Sequence, residues 1–99
     1  MELRIAQSAL EDLLAIQEYY RELDAPHIGD DFVTAILEHS EMLQLHPDAG
    51  RVVPEFNLDH IRELIHTPFR VVYFRQAKEV LLIRVWRSER QLKLPDNKI

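Results

Sequence analysis

Four arginines, Arg62, Arg70, Arg84 and Arg87, fall in or beside three apolar, β-branched stretches in the second half of the chain. A guanidinium binds phosphate or carboxylate through two parallel N–H bonds, so arginines gathered on one sheet face would make an anion-binding surface. Trp86 stands between Arg84 and Arg87, where its indole can stack on a partner, and Arg90 continues the run. Each residue also has a plainer reading. The arginines can pair with Glu63, Glu79 or Glu89 across strands, and the indole can cap the core.

Other chemistries find less support. Cysteine is absent, which removes disulfides, thiolate catalysis and thiolate metal ligands. His27, His39, His46, His60 and His66 include no i, i+4 pair and no adjoining carboxylate motif, so no metal site and no cofactor is expected. Ser88 beside Glu89 lacks the surroundings of a nucleophilic serine.

The charge is unevenly placed. Residues 1–50 carry two Lys or Arg against eleven acids, a net −9, whereas residues 51–99 carry ten against six, a net +4, within an overall −5. Such asymmetry predicts an acidic surface on one element and a cationic one on another, open to an acidic partner or a nucleic acid. The acids Glu11, Asp12, Glu18 and Glu22 read as a solvated helix face.

Ninety-nine residues with 46% hydrophobic content suffice for one modest core, which predicts a single domain over 1–99. The start lacks a basic segment followed by an apolar run, and no apolar stretch reaches the roughly 20 residues that span a bilayer. A cytoplasmic protein without a membrane partner is the expectation.

The elements that must position the arginines can be read from periodicity. Leu3 and Ile5 flank Arg4 in a short first strand. Ser8 and Glu11 have capping-box spacing, and Leu10, Leu13, Ile16, Tyr20 and Leu23 then follow on one helical face. Asp24-Ala25-Pro26 breaks the pattern and starts a second helix, with Ile28, Phe32, Ile36, His39 and Leu43 in one stripe and Val33 and Leu37 beside it. Pro47 and Gly50 mark its end. Tyr19, Tyr20 and Phe32 read as packing residues. Beyond Gly50 the period becomes extended: Val52-Val53 leads through an irregular loop to Ile61–Ile65, and Phe69–Arg75 and Val80–Arg87 form a hairpin about residues 76–79. The last two strands are apolar on both parities and should be central. The predicted order β-α-α-β-β-β gives an α+β fold, an antiparallel helical hairpin on one face of a small, mainly antiparallel sheet.

With these residues in place, the chain resembles the RelE/ParE superfamily of toxins from type II toxin-antitoxin systems. The resemblance rests on Ala9-Leu10-Glu11-Asp12-Leu13 with Ile16 and Tyr20, on Leu43-Gln44-Leu45-His46-Pro47-Asp48-Ala49-Gly50, on Ile61-Arg62-Glu63-Leu64, on Phe69-Arg70-Val71-Val72-Tyr73-Phe74, and on Val80 through Arg87. In this family, RNA-cleaving members use basic residues with a positioned Glu, His or Tyr as acid and base. Were this chain such a ribonuclease, Arg62, Arg87 and Glu89 would be its catalytic set. It reads Trp86-Arg87-Ser88-Glu89-Arg90-Gln91-Leu92, however, where cleaving members commonly place His and Tyr. That departure resembles the ParE branch and implies a non-catalytic toxin that poisons DNA gyrase. Arg62, Arg70, Arg84, Trp86, Arg87 and Arg90 are then the candidate toxic surface. The resemblance also implies a cognate antitoxin whose disordered C-terminal segment folds onto the toxin in a hetero-oligomer, with Leu37, Leu45 and Leu64 as candidate contacts. Operator DNA would be engaged only through the antitoxin. An inactive, antitoxin-binding remnant is the remaining alternative.

Overall fold

The computed structural model describes residues 1–88, so the candidates Glu89 and Arg90 lie outside the described residues. The chain runs through β1 (Glu2–Ile5), α1 (Gln7–Glu22), α2 (Pro26–Ser40), a 3-10 turn (Glu41–Gln44), β2 (Arg51–Val52), β3 (Ile61–His66), β4 (Phe69–Arg75) and β5 (Glu79–Arg87). One sheet has the order β1-β5-β4-β3-β2. Strands β2 to β5 are antiparallel neighbours, and β1 lies parallel to β5. This is the expected α+β arrangement with one addition, the two-residue β2 at the sheet edge, in a stretch read as the approach to the next strand.

The sheet faces follow from alternation, because successive side chains on a strand point to opposite sides. Leu64, Phe69, Val71, Tyr73, Val80, Leu82 and Val85 point towards the helices and meet Ala9, Leu13, Ile16, Ile36 and Leu43 in one core. A shift of register between Val72 and Tyr73 leaves Ile83 as the extra residue of β5, since Val72 faces Arg84 and Tyr73 faces Leu82.

The helical hairpin departs from the predicted stripes in three respects. On α1 the buried positions are Ala9, Leu13 and Ile16, while Leu10 and Leu23 are exposed. Alanine and leucine score alike on periodicity, and the close approach of α1 to the sheet selects the smaller residue. On α2, Ile28 is exposed and Gly29 is buried in its stead. A Cβ at Gly29 would come within 3.1 Å of Gln17 Cα and Tyr20 Cβ, so the helices cross where the glycine permits contact. The helix also ends at Ser40, earlier than expected, and Leu43 reaches the core from the 3-10 turn. Pro26 occupies the first turn of α2 as predicted.

The capping-box reading of Ser8 is overturned. Ala6 is the N-cap of α1, without a side-chain cap, and Ser8 Oγ instead donates to the carbonyl of Ile83 at 2.6 Å.

Candidate functional site

The edge of β5 explains why α1 carries Ser8 and Asp12. Strand β1 pairs with β5 only as far as Leu82, leaving the polar backbone beyond that point without a strand neighbour on that side. Unpaired edge groups need partners or they invite pairing with another chain. The start of α1 supplies them: Ala6 N–H donates to Leu82 O at 2.8 Å, Ser8 Oγ to Ile83 O, and Asp12 accepts from Val85 N–H at 2.8 Å. Serine and aspartate four residues apart on one helix face thus act as a surrogate strand.

Asp12 also takes the guanidinium of Arg84 in a two-pronged bond, Nε at 2.8 Å and Nη2 at 3.0 Å. The carboxylate therefore belongs to the site rather than to the solvated helix face, and its hydrogen bond holds the Arg84 pKa above the ordinary arginine value. The sequence signal for this was slight, an acid bordering the buried stripe at Leu13.

Beside this pair, α1 and the end of β5 enclose a groove of about 510 Å³ lined by Tyr19, Phe69, Arg84, Trp86 and Arg87 among others. Arg84 lies over the Trp86 ring at 4.7 Å from its centroid, and Arg87 over Phe69 at 5.6 Å. Cation–π contacts of this kind fix guanidinium planes against apolar surface. Tyr20, Phe32 and Phe69 stack in sequence from helix to sheet, as packing residues should, but Tyr19 is exposed and lines the groove. The groove offers aromatic surface and guanidinium charge together, which suits recognition of an acidic or phosphate-bearing partner.

Of the sequence candidates, Arg84, Trp86 and Arg87 are brought together here; Arg62 and Arg70 are not. Arg70 is 7% exposed and sits on the far face of the sheet. Its Nε donates to Glu63 at 2.7 Å and its two terminal nitrogens to Glu55 at 2.9 and 3.0 Å, while Arg51 Nε reaches the other Glu63 oxygen at 2.6 Å. The bonds to Glu55, first, and the one to Glu63 hold the guanidinium firmly protonated. This is the cross-strand pairing with Glu63 considered from sequence, enlarged to four charges, and it leaves Arg70 little to present to a partner.

Arg62 serves the opposite end. It donates to the carbonyls of Gly50 and Asp59, both at 2.9 Å, and lies 3.8 Å from Asp48. Close by, the buried Tyr73 hydroxyl accepts from Gly50 N–H and donates to Pro47 O. Gly50 is required there, since a Cβ would fall 2.6 Å from Glu63 O and 2.7 Å from the Tyr73 hydroxyl. Arg62 faces Tyr73 across the sheet and Arg87 faces Phe69. Four residues of strand separate those two positions on β4, about 13 Å along it at roughly 3.3 Å per residue.

The candidate partner contacts are also dispersed. Leu45 is 82% exposed, Leu37 is partly buried against the core, and Leu64 is 6% exposed within it. A docking segment can touch Leu45 directly but reaches Leu64 only by opening the core.

Comparison with known proteins agrees with this architecture. No curated protein matches the chain. A solved structure described as the chromosomal ParDE TA system from P. aeruginosa is similar at 28% identity and a TM-score of 0.76, over 90% of this chain and 97% of that one. Residues 3–92 match the family model for the ParE toxin of the type II toxin-antitoxin system parDE. With nearly the whole chain matched, this protein belongs to the ParE toxin family.

Proposed function

We propose that the protein arrests growth by binding rather than by cutting RNA, that its target is DNA gyrase, and that a cognate antitoxin neutralises it in the cytoplasm. The observation that carries the binding reading is the separation of Arg62 from Arg87. A ribonuclease built on Arg62, Arg87 and Glu89 needs its cations around one phosphate, whereas Arg62 is engaged with Gly50, Asp59 and Asp48 some 13 Å of strand away. The groove at Arg84, Trp86 and Arg87 has the composition of a binding hot spot, aromatic and arginine side chains held by their neighbours. The membership in the ParE family supports gyrase as the target.

The likeness to a ParDE system supports an antitoxin partner. In this reading its C-terminal segment folds on the toxin, placing apolar side chains by Leu45 and Leu37, and operator DNA is bound through the antitoxin's own domain. Tight induction of the chain in a bacterium, with and without the adjacent small reading frame, tests the proposal. Filamentation and DNA-damage signalling with intact messages, reversed by the neighbour, is the expected result. Rapid message loss without DNA damage would replace gyrase poisoning with RNA cleavage, and the absence of arrest would leave an antitoxin-binding remnant.

A further inference from the structure

His39 and His66 are 27 positions apart in sequence, yet their Nδ1 atoms face each other at 2.9 Å. His39 stands in the last turn of α2 and His66 at the end of β3, so the pair joins the helical layer to the sheet. Both backbones are anchored by close neighbours in the core: Ile36 and Ser40 flank His39 and are fully buried, and Leu64 precedes His66 by two residues. Both rings are half-buried, which leaves them within reach of solvent.

Two imidazoles in this arrangement have a restricted set of states. An Nδ1···Nδ1 contact at hydrogen-bond distance requires a proton on one nitrogen and a lone pair on the other, so the two rings must hold different tautomers. Burial, and after it the neighbouring His39, keep the His66 pKa below its ordinary value. Neutral imidazole nitrogens converging on one point are also the donor set of a transition metal. At a metal–nitrogen distance of about 2.0–2.1 Å, two nitrogens at a right angle lie about 2.9 Å apart, and at a tetrahedral angle about 3.4 Å. The observed separation matches the first and needs an opening of about half an ångström for the second.

We propose that His39 and His66 form a two-histidine site for a divalent transition metal, Cu2+, Ni2+ or Zn2+, which replaces the shared proton and staples the end of α2 to the end of β3. The proton leaves Nδ1 of the ring that held it and returns through solvent to Nε2 of that ring, so both rings are neutral Nε2–H tautomers coordinating through Nδ1, and water fills the other positions. Among the described residues no group of three or more His, Asp or Glu side chains is placed to hold a metal, so these residues offer two donors and leave the site open and exchangeable. Imidazole ligation favours Cu2+ over Ni2+ and Zn2+, and gives no advantage to Mg2+ or Ca2+. A metal bound only by the folded chain raises its unfolding temperature by mass action.

The test uses the full chain, purified with a tag free of histidine, and titrated with Cu2+ or Zn2+ alone in metal-free buffer at pH 7.5. Calorimetry is expected to show one equivalent per chain, with a rise in Tm that Mg2+ does not give. His39→Gln and His66→Gln should each weaken binding by about a hundredfold or more, beyond what loss of an outer-sphere partner causes. His27→Gln and His46→Gln should leave it unchanged. Imidazole 15N spectra of the unsubstituted protein decide the matter even if a variant fails to fold. Two rings passing to Nδ1-bound, Nε2–H forms at one equivalent support the site. Rings unchanged by metal, or binding that survives His39→Gln or His66→Gln, would overturn it.

Discussion

Asp12 of α1 accepts hydrogen bonds from the guanidinium of Arg84 and from the backbone N–H of Val85, tying a helix side chain to the open edge of the last strand. One carboxylate thereby closes a strand edge and orients a cation beside the groove. Asp12→Ala should destabilise the fold by about 2–3 kcal/mol, because it leaves a strand N–H and a charged group without their acceptor. Asp12→Asn keeps one acceptor oxygen and should lose less. Urea denaturation of both variants checks this, and equal losses would show that the oxygen kept by asparagine contributes nothing once the charge is gone.

The far face of the sheet makes a separate prediction. Glu63 is buried between Arg51 and Arg70, so Glu63→Ala leaves the buried Arg70 Nε without its acceptor, with Glu55 still on the terminal nitrogens, and should cost about 1–3 kcal/mol. Arg70→Met should lower stability while leaving growth arrest intact whenever the folded protein accumulates. Arrest lost in Arg70→Met at undiminished thermal stability would place Arg70 in the toxic surface after all.

Truncation within the groove should behave in the opposite way. Trp86→Ala and Arg87→Ala are expected to change stability little and to weaken target binding by about 2 kcal/mol each, roughly thirtyfold. Gyrase supercoiling and cleavage-complex assays with folded variants, verified by circular dichroism, provide the measurement. Unchanged inhibition by both variants would move the toxic surface elsewhere.

At the other end of the sheet, burial raises the Tyr73 pKa above its ordinary value of 10, an effect partly opposed by the Gly50 N–H bond and by Arg62 and Arg75. A phenol with a raised folded pKa contributes stability that is complete below the unfolded value and is lost as pH rises through the folded one. Unfolding free energy should therefore fall above pH 10 more steeply in the unsubstituted protein than in Tyr73→Phe. Parallel curves would show that Tyr73 does not govern the alkaline limit. At neutral pH, Tyr73→Phe should cost about 1–3 kcal/mol, since Gly50 N–H and Pro47 O both lose a partner.

Much of the architecture was determined by the sequence itself. The change from a helical to an extended period beyond Gly50, the break at Asp24-Ala25-Pro26, and the doubly apolar strands β4 and β5 were sufficient for two helices on one face of a sheet with those strands central. Hydrophobic periodicity and turn residues act locally, and here they agree with the tertiary outcome. The cationic character of the second half was equally legible.

Only the tertiary structure decided what each of these charges is set against. Arg62, Arg70, Arg84 and Arg87 are alike in type and similarly set among apolar residues, yet one clamps a loop, one is buried between two glutamates, and two flank a groove. Their fates depend on partners far away in sequence: Asp12 for Arg84, Glu55 for Arg70, and the Gly50 carbonyl for Arg62. Spacing could not reveal the meeting of His39 with His66 either, since it arises where a helix end and a strand end converge. Side-chain electrostatics is pairwise and short-ranged, so an ionisable group takes its role from neighbours that only the folded chain supplies.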